Sequence, residues 1–123
     1  MKAYLGVDVG SVTTKLTLLD EDSEIIASIY LRTQGNPIDM IKQGLEEVKK
    51  QIPPETDICG VATTGSGRAL AGIMLGADLV KNEITAHAVA AMSYVPDVQT
   101  VFEIGGQDSK IIIIRDGVVT DFG

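Results

Sequence analysis

Ten residues near the N-terminus, Gly6-Val7-Asp8-Val9-Gly10-Ser11-Val12-Thr13-Thr14-Lys15, constrain this chain more than any others. An apolar, β-prone run ends in a carboxylate, turns at Gly-Ser, and leaves through two threonines and a lysine. Gly10 has no Cβ, so the turn can tighten and present backbone N–H groups outward. A row of such groups makes a concave anion site. Ser11, Thr13 and Thr14 add hydroxyls, and Lys15 adds a mobile positive charge. Asp8 should repel phosphate, and becomes useful if it holds a hydrated Mg2+ beside that phosphate. The spacing is not that of a P-loop, which joins a strand to a helix. An ordinary hairpin with a polar tip has the same local pattern.

The rest of the chain reads as alternating strands and helices. Residues 3–9, 13–20 and 24–33 form three strands with short links, hence an antiparallel meander. Leu16 and Leu18 fall on one face of the second strand, Lys15 and Thr17 on the other. Asn36-Pro37 with Asp39 predicts a capped helix start. Ile38, Ile41, Leu45, Val48 and Ile52 then mark one apolar helix face, and Pro53-Pro54 ends it. Asp57 to Thr64 reads as a buried strand that encloses Cys59 as a small core residue. Thr64-Gly65-Ser66-Gly67-Arg68 opens a helix to about Leu75, where free N–H groups could face an anion. Arg68 there suits a phosphate, a carboxylate or plain solvent. A helix from Glu83 to Tyr94 carries Ile84, Ala88, Ala91 and Val95 on one stripe. Its His87 reads as half-buried and structural rather than as one of a metal pair with Glu83. Three short strands follow, near 100–104, 110–115 and 118–121. They repeat the opening in outline: strand, acidic Glu103, the glycine turn Gly105-Gly106-Gln107-Asp108-Ser109, then a strand that starts at Lys110.

Composition narrows the classes of function. The 123 residues carry a net charge of −7 and no basic run, which argues against nucleic acid or an anionic membrane as partner. With one cysteine an internal disulfide is excluded, which fits a reducing, cytoplasmic setting. No apolar run approaches membrane length.

Two polar hairpins about ninety-five residues apart are the arrangement a nucleoside triphosphate needs, with phosphate donors and Mg2+-holding carboxylates on both sides. Asp8-x-Gly10-Ser11 followed by Lys15 resembles the first phosphate loop of actin. Asn82-Glu83-x-Thr85-Ala86 resembles the connector of heat-shock chaperone ATPases. Glu103-x-Gly105-Gly106 resembles their second phosphate loop, with Glu in place of Asp. Taken with the Thr64–Arg68 turn and Gly105-Gly106-Gln107-Asp108-Ser109-Lys110, the whole chain resembles the BadF/BadG/BcrA/BcrD type. These are ATP-dependent activators of 2-hydroxyacyl-CoA dehydratases and benzoyl-CoA reductases.

That resemblance implies an α/β, ribonuclease H-like fold of the actin-like ATPase kind. Residues 1–96 would form the first lobe, a three-strand meander extended by further strands with covering helices. Residues 97–123 would be the opening meander of a second lobe, uncovered by any helix. Gly10, Ser11, Thr13, Thr14, Lys15, Gly65, Gly105, Gly106, Gln107 and Lys110 would contact ATP or ADP. Asp8 and Glu103 would organise hydrated Mg2+, with Asp8, Glu83 and Asp108 as the catalytic set. The family also implies a homodimer, a 4Fe–4S cluster and electron transfer to a dehydratase or reductase. A ferredoxin- or flavodoxin-type donor would supply the electron. The cluster cysteines and the adenosine site of the family are missing here, so the chain is expected to be an N-terminal piece without turnover of its own. The alternatives are a sugar kinase of the same superfamily, for which no sugar-binding cluster is evident, and a non-catalytic assembly scaffold.

Overall fold

The computed structural model describes residues 1–104 and 109–123. Strands β1 (Lys2–Val9), β2 (Thr13–Asp20) and β3 (Ile25–Arg32) form the antiparallel meander. Helix α1 (Pro37–Gln51) leads to β4 (Asp57–Thr64), which lies parallel to β1. Helix α2 (Arg68–Leu75) and the short β5 (Leu79–Val80) complete a five-stranded sheet of order β3-β2-β1-β4-β5. Helix α3 (Glu83–Tyr94) precedes a three-stranded antiparallel sheet of β6 (Thr100–Ile104), β7 (Ser109–Arg115) and β8 (Val118–Phe122). The α/β class and the strand–helix order follow the pattern expected from the sequence.

The chain forms two compact units, Met1–Lys81 and Asn82–Gly123. In the first, strict alternation sorts the strands into two faces. Ala3, Leu5, Val7 and Val9 of β1, with Leu16 and Leu18 of β2, are buried in one core together with Ile41, Val48 and Ala71. Both α1 and α2 therefore pack on the same side of the sheet. Close packing of α1 depends on Gly44, where a Cβ would stand 2.6 Å from Leu16 Cδ1. Helix α2 ends on Gly76, whose left-handed backbone (φ +63) suits glycine.

The start of α1 differs from the capping box that was expected. Asn36 makes no side-chain cap to the helix backbone. Its Nδ2 instead donates to Asp39 Oδ2 at 2.6 Å, so the two side chains that could have capped the helix satisfy each other. Cys59 differs too: it is exposed rather than buried. The cause is a bulge, because Ala3 pairs with Ile58 and Tyr4 with Gly60, which leaves Cys59 as the extra residue.

In the second unit α3 covers the meander that was expected to lie bare. Ala88 is buried with Ile112 and Ile114, and Ile84 and Met92 pack against them. The apolar stripe is thus 84/88/92 rather than one that ends on Val95, which has left the helix and is 56% exposed. Packing groups α3 with the strands after it, and the compact units divide between Lys81 and Asn82. No helix among the described residues is long and apolar enough to cross a membrane.

The Leu16–Gly44 contact gives a measurable coupling. Leu16→Ala should cost about 2–5 kcal/mol in urea denaturation. Gly44→Ala should be more favourable in that background than in the wild type, because the added methyl then meets space instead of Leu16 Cδ1. Additive effects would contradict the packing described.

Candidate nucleotide site

The first candidate loop is a tight hairpin closed by Gly10 N–H donating to Thr13 O at 2.9 Å. That donor is consumed by the turn and does not point out toward an anion, which corrects the expectation for Gly10. The loop is also braced from below. Thr33 Oγ1 donates to Gly10 O at 2.8 Å and lies 3.0 Å from Thr14 Oγ1. A hydroxyl has one proton, so Thr14 must be the donor to Thr33. Thr33 N–H also donates to Val12 O at 2.9 Å.

This chain of bonds reassigns Thr14. It lies opposite Val9, on the helix-covered face, and is fully buried. Its hydroxyl supports the loop from inside and cannot reach a ligand, contrary to the role expected of it. Thr13 and Lys15, one residue to either side, belong to the opposite face by alternation. Ser11 sits exposed at the turn.

On that opposite face three polar side chains stand in one row. Asp8 pairs in register with Lys15 of β2 and with Thr64 of β4. Lys15 Nζ lies 3.8 Å from Asp8 Oδ2, with both side chains partly solvated. It also sits 5.7 Å from the ring centre of Tyr30, its cross-strand neighbour on β3. Such a half-exposed ion pair is weak, so Lys15 can exchange Asp8 for a stronger anion at little cost.

The turn after β4 closes the other flank of Asp8. Gly65 adopts φ +92, and an added Cβ would collide with Val9 O and stand 2.7 Å from Asp8 Oδ1. Only glycine fits there, so Gly65 serves close approach rather than conformational freedom alone. Gly67 N–H donates to Val9 O at 2.9 Å and Arg68 Nη1 to Gly65 O at 3.0 Å, which fastens the turn to the end of β1. Thr63 points to the helix side and donates to Arg68 O at 2.8 Å.

In the second unit Asn82 caps α3 by accepting from Thr85 N–H at 2.9 Å. Glu83 lies in the first turn of that helix. His87 Nε2 stands 3.7 Å from Glu103 Oε1, and Glu103 pairs across strands with Lys110. The unit therefore brings Glu103 and Lys110 into register on adjacent strands, with the partly buried His87 of α3 beside Glu103. Gly105, Gly106, Gln107 and Asp108 lie outside the described residues. No group of three or more His, Cys, Asp or Glu side chains suited to direct metal ligation occurs among the described residues.

Sequence reasoning missed Thr33 and Thr64. Thr33 gave no signal, being a lone threonine after a strand. Thr64 could have been found by placing β4 beside β1 in parallel register. A largely apolar groove of about 350 Å³, lined by Leu5, Leu18, Leu45, Val48, Ile52 and Ile58 together with Lys42, Glu46 and Lys49 of α1, lies on the helix-covered side, away from Asp8.

Comparison with known proteins agrees with this architecture. A model described as the BadF/BadG/BcrA/BcrD ATPase family matches residues 5–123. The (R)-2-hydroxyglutaryl-CoA dehydratase activating ATPase of Acidaminococcus fermentans is 37% identical over 123 residues, covering 96% of this chain and 45% of that protein. The activator of lactoyl-CoA dehydratase of Anaerotignum propionicum is 32% identical over 117 residues, covering 91% and 42%. Among solved structures, the activator of 2-hydroxyisocaproyl-CoA dehydratase from Clostridium difficile with bound ADPNP superposes with a TM-score of 0.81 at 28% identity, covering 98% and 44%. A glucokinase from Streptomyces griseus, at 15% identity and TM-score 0.66, shares the fold. The chain spans about half the length of the curated relatives it matches.

The hydroxyl relay under the loop ranks two substitutions. Thr33→Val removes the donor to Gly10 O and the acceptor for Thr14 at once, and should cost about 2–3 kcal/mol. Thr14→Val removes one donor and should cost about 1 kcal/mol. Chemical denaturation checks the order, and a larger loss for Thr14→Val would contradict the relay.

Proposed function

This chain belongs to the BadF/BadG/BcrA/BcrD ATPase family, and from that premise we propose that it is the phosphate-binding part of an ATP-hydrolysing activator. The intact protein would drive electron transfer from an iron–sulfur cluster to a 2-hydroxyacyl-CoA dehydratase or related reductase. The observation that carries the reading is the row Thr64–Asp8–Lys15 beside the Gly10 turn, on the face that α1 and α2 leave open.

The residues present fit Mg2+ held through water. Asp8 is a partly solvated carboxylate, Gly65 lets the turn after β4 close directly against it, and the buried Thr64 Oγ1 of the same row has no hydrogen-bond partner among the described residues. Bound there, the ion would neutralise charge that develops on the phosphoryl oxygens. Asp8 accepts hydrogen bonds from water and fixes its position. Lys15 leaves Asp8 for a phosphate oxygen, so nucleotide binding replaces a weak ion pair by a charge-assisted contact. Ser11 and Thr13 supply further donors at the loop. Glu103, Glu83, Lys110, Gly105, Gly106, Gln107 and Asp108 complete this reading as the second loop and catalytic set. The reading keeps residues 1–96 as the first lobe and 97–123 as the start of the second.

The residues present do not fit a 4Fe–4S cluster. The chain has one cysteine, and it is exposed on a bulge. No electron-transfer step is assigned to these residues. Homodimer formation, a ferredoxin- or flavodoxin-type donor and a cytoplasmic setting belong to the reading of the intact protein.

Calorimetric titration with ADPNP tests the site. Asp8→Asn should weaken binding about tenfold or more with Mg2+ present and not weaken it in EDTA, where the carboxylate only repels phosphate and holds Lys15. Lys15→Ala should weaken binding in both conditions. Equal binding of MgADPNP by wild type and Asp8→Asn would contradict the proposed role of Asp8.

A further inference from the structure

Strand β3 ends beside the Gly10 turn, and its last residue is an arginine that the row Thr64–Asp8–Lys15 does not include. Arg32 lies in register with Thr13, and Tyr30 with Lys15. Thr14 and Leu31, paired between them, belong to the helix-covered face, so Tyr30 and Arg32 share the face of Asp8. Tyr30 is already engaged there, with its ring centre 5.7 Å from Lys15 Nζ. Arg32 is exposed, and its side chain makes no hydrogen bond or ion pair among the described residues.

The backbone under Arg32 is tied to the turn. Thr33, the next residue, donates its N–H to Val12 O at 2.9 Å and its hydroxyl to Gly10 O at 2.8 Å. The contacts that brace the loop therefore also fix the root of Arg32 at the loop's edge. A long cation with its donors unspent stands opposite Thr13, open to solvent and to any ligand at the turn.

Charge balance says what that cation is for. Lys15 and Asp8 offset each other, so the row alone is close to neutral. The whole chain carries −7, so its overall field repels an anion and local cations must offset that. A nucleoside triphosphate with one Mg2+ keeps net negative charge, which calls for a cation beyond Lys15. The planar guanidinium can meet two phosphate oxygens at once, which an ammonium cannot.

We propose that Arg32 is a phosphate-binding residue of the nucleotide site, its guanidinium pairing with phosphate oxygens at the Gly10 turn while Lys15 takes another. The inference rests on the nucleotide reading given above. It extends the site from β1, β2 and β4 to β3, the edge strand of the sheet.

Arg32→Gln and Arg32→Lys are compared with wild type by titration with MgADPNP and by ligand-free thermal melting. Lys15→Ala serves as control for the site, and Lys2→Ala, at the far end of β1, as control for net charge. Arg32→Gln should melt with the wild type and bind MgADPNP about tenfold more weakly. Arg32→Lys keeps the charge but loses the fork, and should bind about threefold more weakly. Lys2→Ala, which removes one positive charge just as Arg32→Gln does, should bind as wild type. Wild-type affinity in Arg32→Gln, or an equal loss in Lys2→Ala, overturns the inference, while weaker binding by Lys15→Ala keeps the nucleotide reading intact. Absence of MgADPNP binding by wild type overturns the nucleotide reading and this inference together.

Discussion

The register of β1 against its two neighbours is the constraint on which the site depends. Side chains alternate along a strand, so a slip of one residue would bury Asp8 and expose Val7 and Val9. Burial of Val7, Val9, Leu16 and Leu18 under α1 and α2 holds the register from the apolar side. The polar consequence appears on the other face, where Thr64, Asp8 and Lys15 line up without any contact of their own strong enough to place them. Their alignment is thus a by-product of core packing, and the weak Lys15–Asp8 pair is free to be exchanged for ligand.

The threonines divide the work in the same way. Thr14 and Thr33 face inward and tie the Gly10 turn to the end of β3 through two hydroxyl bonds. Thr13 and Thr64 fall on the outer face with Asp8. Chemically identical side chains become scaffold or site according to strand parity alone. Gly65 and Gly67 let the turn after β4 close against Val9, which puts the second wall of the site within reach of the first.

Much of this was legible from residues. Alternation in 13–20, the Pro53-Pro54 stop and the Gly-rich turns set most element bounds within a residue or two. The departures share one cause, which is that they depend on partners distant in sequence. Cys59 reads as buried until the bulge opposite Ala3 and Tyr4 is known. Asn36 reads as a cap until Asp39 competes for it. Thr14 reads as a phosphate donor because the local pattern of hydroxyls cannot show that Thr33 lies beneath it. The meander of 100–122 reads as bare because its cover, α3, precedes it in the chain.

The proposed site for the nucleotide phosphates is the Asp8 row and the two turns beside it. Titration of isotope-labelled protein with MgADPNP, followed by backbone amide resonances, locates the ligand on the first unit without any substitution. The largest shifts should fall together on Asp8, on residues 10–15 and on residues 64–67. Shifts confined to the groove residues Leu45, Val48 and Ile52, or absent from those three segments at saturation, would contradict it.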